Sequence, residues 1–300
     1  MIDTKSSCII LINYNCERYI LKCLESIEKN NFDISNVIVV DNNSHDNSIK
    51  FILGKYGNIN IIYSKVNLGF AGGNNLGIKW ALSRSYKNII LLNPDTILNS
   101  SSIYELHMLL EENCLLVPSI FSEFNGKAYY NNNFGGINFF TGRTINKKFS
   151  KIVLNTNDSS YVNMASACAI LLPHTFFEDV GFFDENYFLY WEDTDLIYRG
   201  IKSGYKIKYI ERSKLFHDES SSSGGKLSDV SIYYNYRNRL YFMKKHKKHH
   251  LQYSFFIFFY SITTSTKILQ FLLRGKSKKA MNIIKAIFDF NKNKFGYNKI

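Results

Sequence analysis

The residues in this chain best placed to do chemistry are carboxylates set among aromatics. From Gly181 to Asp195 the sequence reads Gly-Phe-Phe-Asp-Glu-Asn-Tyr-Phe-Leu-Tyr-Trp-Glu-Asp-Thr-Asp, with five acids and six aromatic rings. The spacing predicts a helix over 192–203, so Glu192 and Asp193 stand at its N-terminus, where the helix dipole favours ionised carboxylates. Neighbouring rings desolvate such groups and offer a flat platform for a sugar ring. On this reading Asp193, with Glu192 beside it, is the candidate proton acceptor, and Asp184, Tyr190 and Trp191 face the molecule that loses the proton. The plain alternative is that these acids cap the helix and that Asp195 pairs with Arg199 one turn on. Asp195 is assigned to that pair and Asp193 to chemistry.

Further polar residues stand where short apolar runs end. Asn13-Tyr14-Asn15 follows the first run; Tyr14 can stack on a nucleobase and Asn15 can bond its edge, unless the three are only a polar turn. Asp41-Asn42-Asn43-Ser44-His45-Asp46 follows the second. Asp41 and Asn43 are read as contacts to a base or ribose, and Ser44 or Asp46 as the next helix's cap. The stretch Asn67-Leu68-Gly69-Phe70-Ala71-Gly72-Gly73-Asn74-Asn75 reads as a glycine loop opening a helix. Gly72, Gly73 and Asn74 would then let the backbone approach a ligand closely, or the loop is merely a flexible turn. It is not a GxGxxG pattern and it follows the third run, which counts against a hydride-transfer enzyme. Asn93-Pro94-Asp95-Thr96 follows the fourth run. Asp95 suits a divalent cation that bridges a diphosphate, with Asn93 beside it, or Asp95 and Thr96 cap a helix. Downstream, His217 could ligate metal or contact diphosphate, or be merely structural, and Arg237 and Arg239 could clamp phosphate or simply begin the basic tail.

The elements that must position these residues read as α/β. Ser7–Ile12, Val37–Val40, Ile59–Tyr63 and Ile89–Leu92 are short Ile- and Val-rich runs suited to strands buried on both faces of a parallel sheet. Glu17–Glu28, Asp46–Gly54 and Asn74–Arg84 between them have helical spacing. Such alternation predicts a doubly wound sheet with its ligand site at the carboxyl ends of the strands. Residues 121–157 show no period and read as a long irregular segment. A strand at Ala167–Leu172, another at Tyr205–Ile210 and a basic linker after Asn238 complete the expectation.

Five cysteines without a CxxC pair read as core residues of a reducing compartment. No secretory leader is expected, because the apolar run Cys8–Ile12 is too short. Charge is uneven: from Tyr236 to Ile300 there are 15 Lys and Arg against a single acid, Asp289, whereas the rest of the chain is nearly neutral. A basic tail points to an anionic surface. Within it, Leu251–Leu273 is long enough to span a bilayer, but Gln252, Lys267, Gln270 and a Ser/Thr cluster favour a helix lying in the interface.

Taken in order, Asn13-Tyr14-Asn15, Asp41-Asn42-Asn43-Ser44, the Gly69–Asn75 stretch, Asn93-Pro94-Asp95, Gly181–Asp195, His217 and Arg237-Asn238 resemble the inverting family 2 glycosyltransferases of the GT-A fold. Their rhamnosyltransferase-like branch, which builds bacterial surface polysaccharide, is the most similar. The resemblance implies a Rossmann-like catalytic domain over 1–240, with a nucleotide-sugar half to about residue 120 and an acceptor half beyond it, and a membrane-associating helical tail over 241–300. It implies a nucleotide-diphosphate sugar donor (dTDP-rhamnose or a UDP-sugar), a glycan acceptor carried on a lipid, and a place on the inner face of the cytoplasmic membrane. Tyr14 and Asp41 would match nucleobase contacts, Asp95 the ligand of Mg2+ or Mn2+, Asp193 the general base, and His217 a position near metal or diphosphate. The family's Asp-x-Asp stands here as Asn93-Pro94-Asp95, which leaves one carboxylate for metal and room for water ligands. The runner-up is a sugar-phosphate nucleotidyltransferase, which calls for a Gly-rich basic loop after the first strand, where Asn13-Tyr14-Asn15-Cys16 stands. A nucleic-acid-binding protein driven by the tail leaves the carboxylates unexplained, and no nucleic acid is expected as partner.

Overall fold

The computed structural model describes residues 4–124, 127–130, 135–145, 159–218 and 228–298. Four apolar runs become parallel strands: β1 (Ser7–Asn13), β2 (Val37–Asp41), β3 (Asn60–Tyr63) and β4 (Asn88–Leu92). Alternate side chains of β1 serve opposite layers, as the two-residue period of a strand requires. Ile9 and Leu11 pack with Ile20, Leu24 and Ile27 of helix α1 (Ile20–Lys29). Cys8 and Ile10 meet Ala71, Ile78 and Ala81 of helix α3 (Gly69–Ser83), and helix α2 (Ser48–Lys55) joins β2 to β3. The five cysteines are free and buried, and burial pushes the Cys8, Cys16 and Cys23 thiols up to about 12.

The sheet continues past β4 with mixed directions. After β5 (Thr96–Leu98) and helix α4 (Ser102–Met108) come β6 (Cys114–Phe124), β7 (Lys127–Tyr130), the small pair β8 (Ile137–Asn138) and β9 (Arg143–Thr144), β10 (Ser159–Val162) and β11 (Ala169–Pro173). Helices α5 (His174–Asp179) and α6 (Glu192–Lys202) lead to β12 (Lys206–His217). The order is β3-β2-β1-β4-β11-β6-β12-β10, with β11 antiparallel to both its neighbours and β12 parallel to β6. Three helices follow: α7 (Asp229–Lys245), α8 (His250–Leu273) and α9 (Ser277–Asn291).

Several expectations are corrected. Gly69–Asn75 is no loop but the first two turns of α3, which starts five residues earlier than its apolar spacing indicated. A boundary near residue 120 falls inside β6, and one near 240 falls inside α7, which replaces the expected basic linker. His217 ends a twelve-residue strand and does not follow a shorter one. Within 121–157 the described residues include the end of β6, the strand β7 and the β8–β9 pair; positions 125–126, 131–134 and 146–157 lie outside the described residues, as does Ser220.

The basic tail is integral to the fold. Ala280, Ile283 and Ala286 of α9 are buried in clusters shared with α7; the Tyr233 hydroxyl donates to Asp289 at 2.7 Å, and Arg237 donates to the Gly296 carbonyl at 2.8 Å. Helix α8 buries the stripe Phe256, Tyr260, Thr264 and Phe271, spaced at helical intervals. Its other face exposes Leu251, Phe258 and Leu273. Among the described residues α8 alone is long and apolar enough to cross a membrane.

Candidate active site

The strand order reverses between β1 and β4, and a crevice at the carboxyl ends of these two strands is where an open α/β sheet binds ligands. Asn13 and Asn93-Pro94-Asp95 stand there. Buried Asn13 donates through Nδ2 to Asp41 Oδ1 at 3.1 Å and to the Ser44 and Ser48 hydroxyls. Asp41 is thereby fixed at its strand tip and also accepts from Ser44 N. Tyr14 projects its ring into solvent, 43% exposed. Asn43 is half-buried in a left-handed conformation, φ 65°.

Asp95 and His217 meet across the sheet. The antiparallel pairing of β5 with the end of β12 brings His217 Nε2 within 3.3 Å of Asp95 Oδ1. Burial by itself would lower the imidazole pKa, but the Cys168 sulfur and the Asp95 carboxylate outweigh it and raise it, so a cation at Nε2 would have to displace the proton shared with Asp95. Two adjacent ligands of an octahedral Mg2+, each about 2.1 Å from the ion, stand about 3 Å apart. One carboxylate and one imidazole at 3.3 Å therefore fit a divalent cation. Among the described residues no three His, Cys, Asp or Glu side chains gather for a metal, and Asp95 and His217 are the two that would hold one.

Asp193 joins this pair through one short segment. Ala167 N donates to Asp193 Oδ2 at 3.4 Å, and the next residue, Cys168, accepts from Asn93 N at 2.8 Å, two positions before Asp95. Thr194 N donates to Asp193 Oδ1 at 2.6 Å. Burial raises the Asp193 carboxyl above its ordinary value although both amides pull it down. Glu192 is fully buried, with no hydrogen-bond partner at Oε2, and burial and then the Asp193 charge push it well above the carboxylate range. Of the two, Asp193 is half-buried and keeps hydrogen bonds to its charged form, so it ionises first.

The turn that delivers this pair is strained. Phe188, Tyr190 and Trp191 have φ of 64°, 65° and 74°, a conformation that bulky residues adopt at a cost of about 1–3 kcal/mol each. Arg237 and Asn238 of α7 hold it. Arg237 donates to the Asn186 and Tyr187 carbonyls, and Asn238 Nδ2 to those of Tyr187, Leu189 and Tyr190, all within 3.0 Å. From the other side Phe70 N donates to the Phe188 carbonyl at 2.8 Å, and a Cβ on Gly69 would stand 2.2 Å from that oxygen. Gly69 therefore permits the close approach of helix and turn.

Five residues change their sequence-based assignment. Gly72 and Gly73 make room for protein: Cβ atoms there would stand 2.8 Å from Leu68 Cβ and 2.9 Å from Ile12 Cγ2. Asn74 is buried and bonds the Phe70 carbonyl of its own helix. Arg237 is fully buried among backbone carbonyls and cannot clamp a diphosphate. Asp184 ties the turn to α7, accepting from the Tyr241 hydroxyl and Lys245, and so is not offered to an acceptor. Asn15 closes two loops by accepting from His45 N. Asn93 is half-buried, and Trp191 packs at a tilt of 46° against Phe242 and lines a cavity. The expected Asp195–Arg199 pair is present at 2.8 Å within a larger set: Asp195 Oδ1 also receives Lys245 and His246.

Sequence reasoning passed over two amides. Asn42 donates to the Gly69 carbonyl and accepts from Leu68 N; Asn75 exchanges two bonds with the Phe183 backbone and donates to Glu185. Their only sequence signal was adjacency to residues already singled out.

The chain is similar to known proteins of this architecture. It is 24% identical over 242 residues to the low-salt glycan biosynthesis hexosyltransferase Agl10 of Haloferax volcanii, covering 80% of this chain and 75% of that one. It is 25% identical over 247 residues to the dTDP-rhamnosyl transferase RfbF of Shigella flexneri, covering 79% of each. In fold it is similar to GalNAc-T7, solved with UDP, GalNAc and Mn2+, at a TM-score of 0.61 and 14% identity; the match covers 77% of this chain and spans about half (47%) of that longer one. The sequence model of glycosyl transferase family 2 matches residues 8–171, more than half of the chain, and the protein therefore belongs to that family of glycosyltransferases, with a GT-A fold.

Proposed function

We propose that the chain moves a sugar, with inversion, from a nucleotide-diphosphate sugar (dTDP-rhamnose or a UDP-sugar) to a hydroxyl of a lipid-linked glycan during surface polysaccharide synthesis. The observation that carries this reading is Asp193, raised in pKa and tied by the Ala167–Cys168 segment to the Asp95–His217 pair. That arrangement sets a proton acceptor near a place for a diphosphate. Asp193 takes the acceptor's hydroxyl proton while the oxygen attacks the anomeric carbon and the carbon–oxygen bond to the nucleoside diphosphate breaks. Glu192, kept neutral by burial, adds no second negative charge beside the base. Tyr14, Asp41 and Asn43 lie along the strand tips where a nucleobase and ribose would rest, with Asn93 nearer the diphosphate. Asp95 and His217 would hold Mg2+ or Mn2+, whose charge, when bound, offsets that of the diphosphate. The rhamnosyl transferase relative and the Mn2+ in GalNAc-T7 support the donor class and the metal.

The exposed apolar face of α8, with Lys244–Lys248 before it and Arg274–Lys279 after it, supports a place on an anionic membrane at the cytoplasmic side. The test is a donor-hydrolysis screen of the purified chain across nucleotide sugars with Mg2+ and with Mn2+. Hydrolysis of one donor class is expected; no hydrolysis of any would sink the proposal.

A further inference from the structure

Beside the Glu192-Asp193 pair lies a cavity of about 480 Å³ that the reaction above does not use. Its walls come from the β9 segment, the start of α6 and one face of α7, and include Arg143, Thr144, Trp191, Thr194, Asn235 and Arg239. Trp191 and Thr194 flank the catalytic pair in sequence, so the cavity opens on the side of the site where an acceptor arrives. Among the described residues that line it, none is Asp or Glu. Two guanidiniums thus share one space with hydroxyls and an amide and without a counter-charge, an arrangement that fits a phosphate.

Arg239 is built in, and the exposed Arg143 stands over a ring beside it. Arg239 donates to the Thr141 carbonyl and lies over the rings of Phe256 and Tyr260, 5.7 and 5.2 Å from their centroids, while its Nε is buried without a hydrogen-bond partner. Arg143 lies 5.0 Å from the centroid of Phe259. All three rings belong to α8, so the helix with the exposed apolar face backs both arginines, although none of its described residues lines the cavity. Burial, and the like charge of Arg143 nearby, hold the Arg239 pKa below its ordinary value, which is the state an incoming anion relieves.

We propose that this cavity binds a phosphate group of the acceptor, with Arg143 and Arg239 as its ligands and α8 presenting it at the membrane surface. The proposal rests on the glycosyltransferase reading for the word acceptor, and on the cavity alone for the phosphate.

The experiment uses the full chain with Trp80→Phe, which leaves Trp191 in the cavity wall as the sole tryptophan. Inorganic phosphate is titrated at constant ionic strength in EDTA, with Trp191 fluorescence as the signal. A saturable change is expected, with its midpoint raised at least tenfold by Arg143→Gln, an exposed position, and by Arg239→Lys. A parallel arm adds phosphatidylcholine vesicles with or without phosphatidic acid. Competition by the phosphatidic acid vesicles alone assigns the phosphate to a lipid-borne source, and its absence to a soluble one. The inference is overturned by no saturable signal, by equal midpoints in wild type and Arg143→Gln, or by displacement of phosphate by UDP, which would give the cavity to the donor. Donor hydrolysis measured on the same protein separates the two claims. Hydrolysis without phosphate binding sinks the cavity alone; phosphate binding without hydrolysis of any donor sinks the reaction and leaves an anion site.

Discussion

Exchanging Asp193 for Asn changes the charge of the site while keeping its shape. The Asn oxygen can still accept from Thr194 N, the 2.6 Å bond, and what is lost is the 3.4 Å bond from Ala167 N. One long bond to a carboxylate is worth at most about 1.5–3 kcal/mol, partly offset by removal of a desolvated charge. The melting temperature should therefore move by only a few degrees. If Asp193 is the base, turnover should fall about 10²–10⁴-fold, or about 3–5.5 kcal/mol of barrier, with donor binding unchanged. The pH profile adds a second readout. Activity requires ionised Asp193, so turnover rises with pH as its proton leaves, and the midpoint lies above the ordinary carboxylate value because burial raises it. Glu192→Gln tests the neighbour: a Glu192 already neutral contributes no charge, so the acid limb should stay in place, whereas an ionised one would let it slide to lower pH. Stopped-assay turnover between pH 4 and 8, with thermal melts of each variant, measures all of this. Near-wild-type turnover in Asp193→Asn refutes the assignment, since a cap is replaced almost without loss by Asn.

Asp195→Asn should behave in the opposite way, lowering stability by about 3 kcal/mol because it removes the buried carboxylate that Arg199 and His246 share, while Lys245 keeps Asp184. Burial alone would raise Asp195, but the His246 bond and the charges of Arg199 and Lys245 hold it well below the carboxylate range. Its stabilisation is thus present above about pH 4, the unfolded value, and lost on acidification, and the variant's acid-unfolding curve should be flatter. Chelation with EDTA should abolish transfer, and Asp95→Ala should weaken donor binding more than acceptor binding; full activity in chelator refutes the cation site. The chain should sediment with anionic vesicles and be released by salt, and equal binding to neutral vesicles at high salt would mean a true span. Gly77→Ala should cost about 1–3 kcal/mol in a thermal melt, because the new Cβ would stand 2.5 Å from Ile10 Cγ2.

Much of the first half was legible in the sequence for a plain reason. A strand buried on both faces must be apolar throughout and a helix on one, so Ser7–Asn13 and Ile20–Lys29 carry their structure in local composition. The polar residues that end these runs were legible too, since polar side chains at strand tips have few other uses. That Tyr14, Asp41 and Asp95 stand at the sheet's carboxyl edge follows from the strand pattern alone.

What the sequence left open depended on contacts between distant segments. Glycine in the Gly69–Gly77 stretch looks the same whether it admits a ligand or a neighbouring side chain, and only the docking of α3 on Ile10, Ile12 and Phe188 decides for the protein. A basic residue on a helix looks the same in solvent or in a core, yet Arg237 is buried against carbonyls fifty residues away in sequence and Arg239 faces a cavity. Arg143 carries no periodic signal, and the segment that supplies it becomes meaningful only where α7 and α8 meet it. Asp95 and His217 are 122 positions apart and come within 3.3 Å because β5 pairs with the last residues of β12. Local composition sets which elements form; which charged group becomes ligand, clamp or base is set by the partners that burial brings to it.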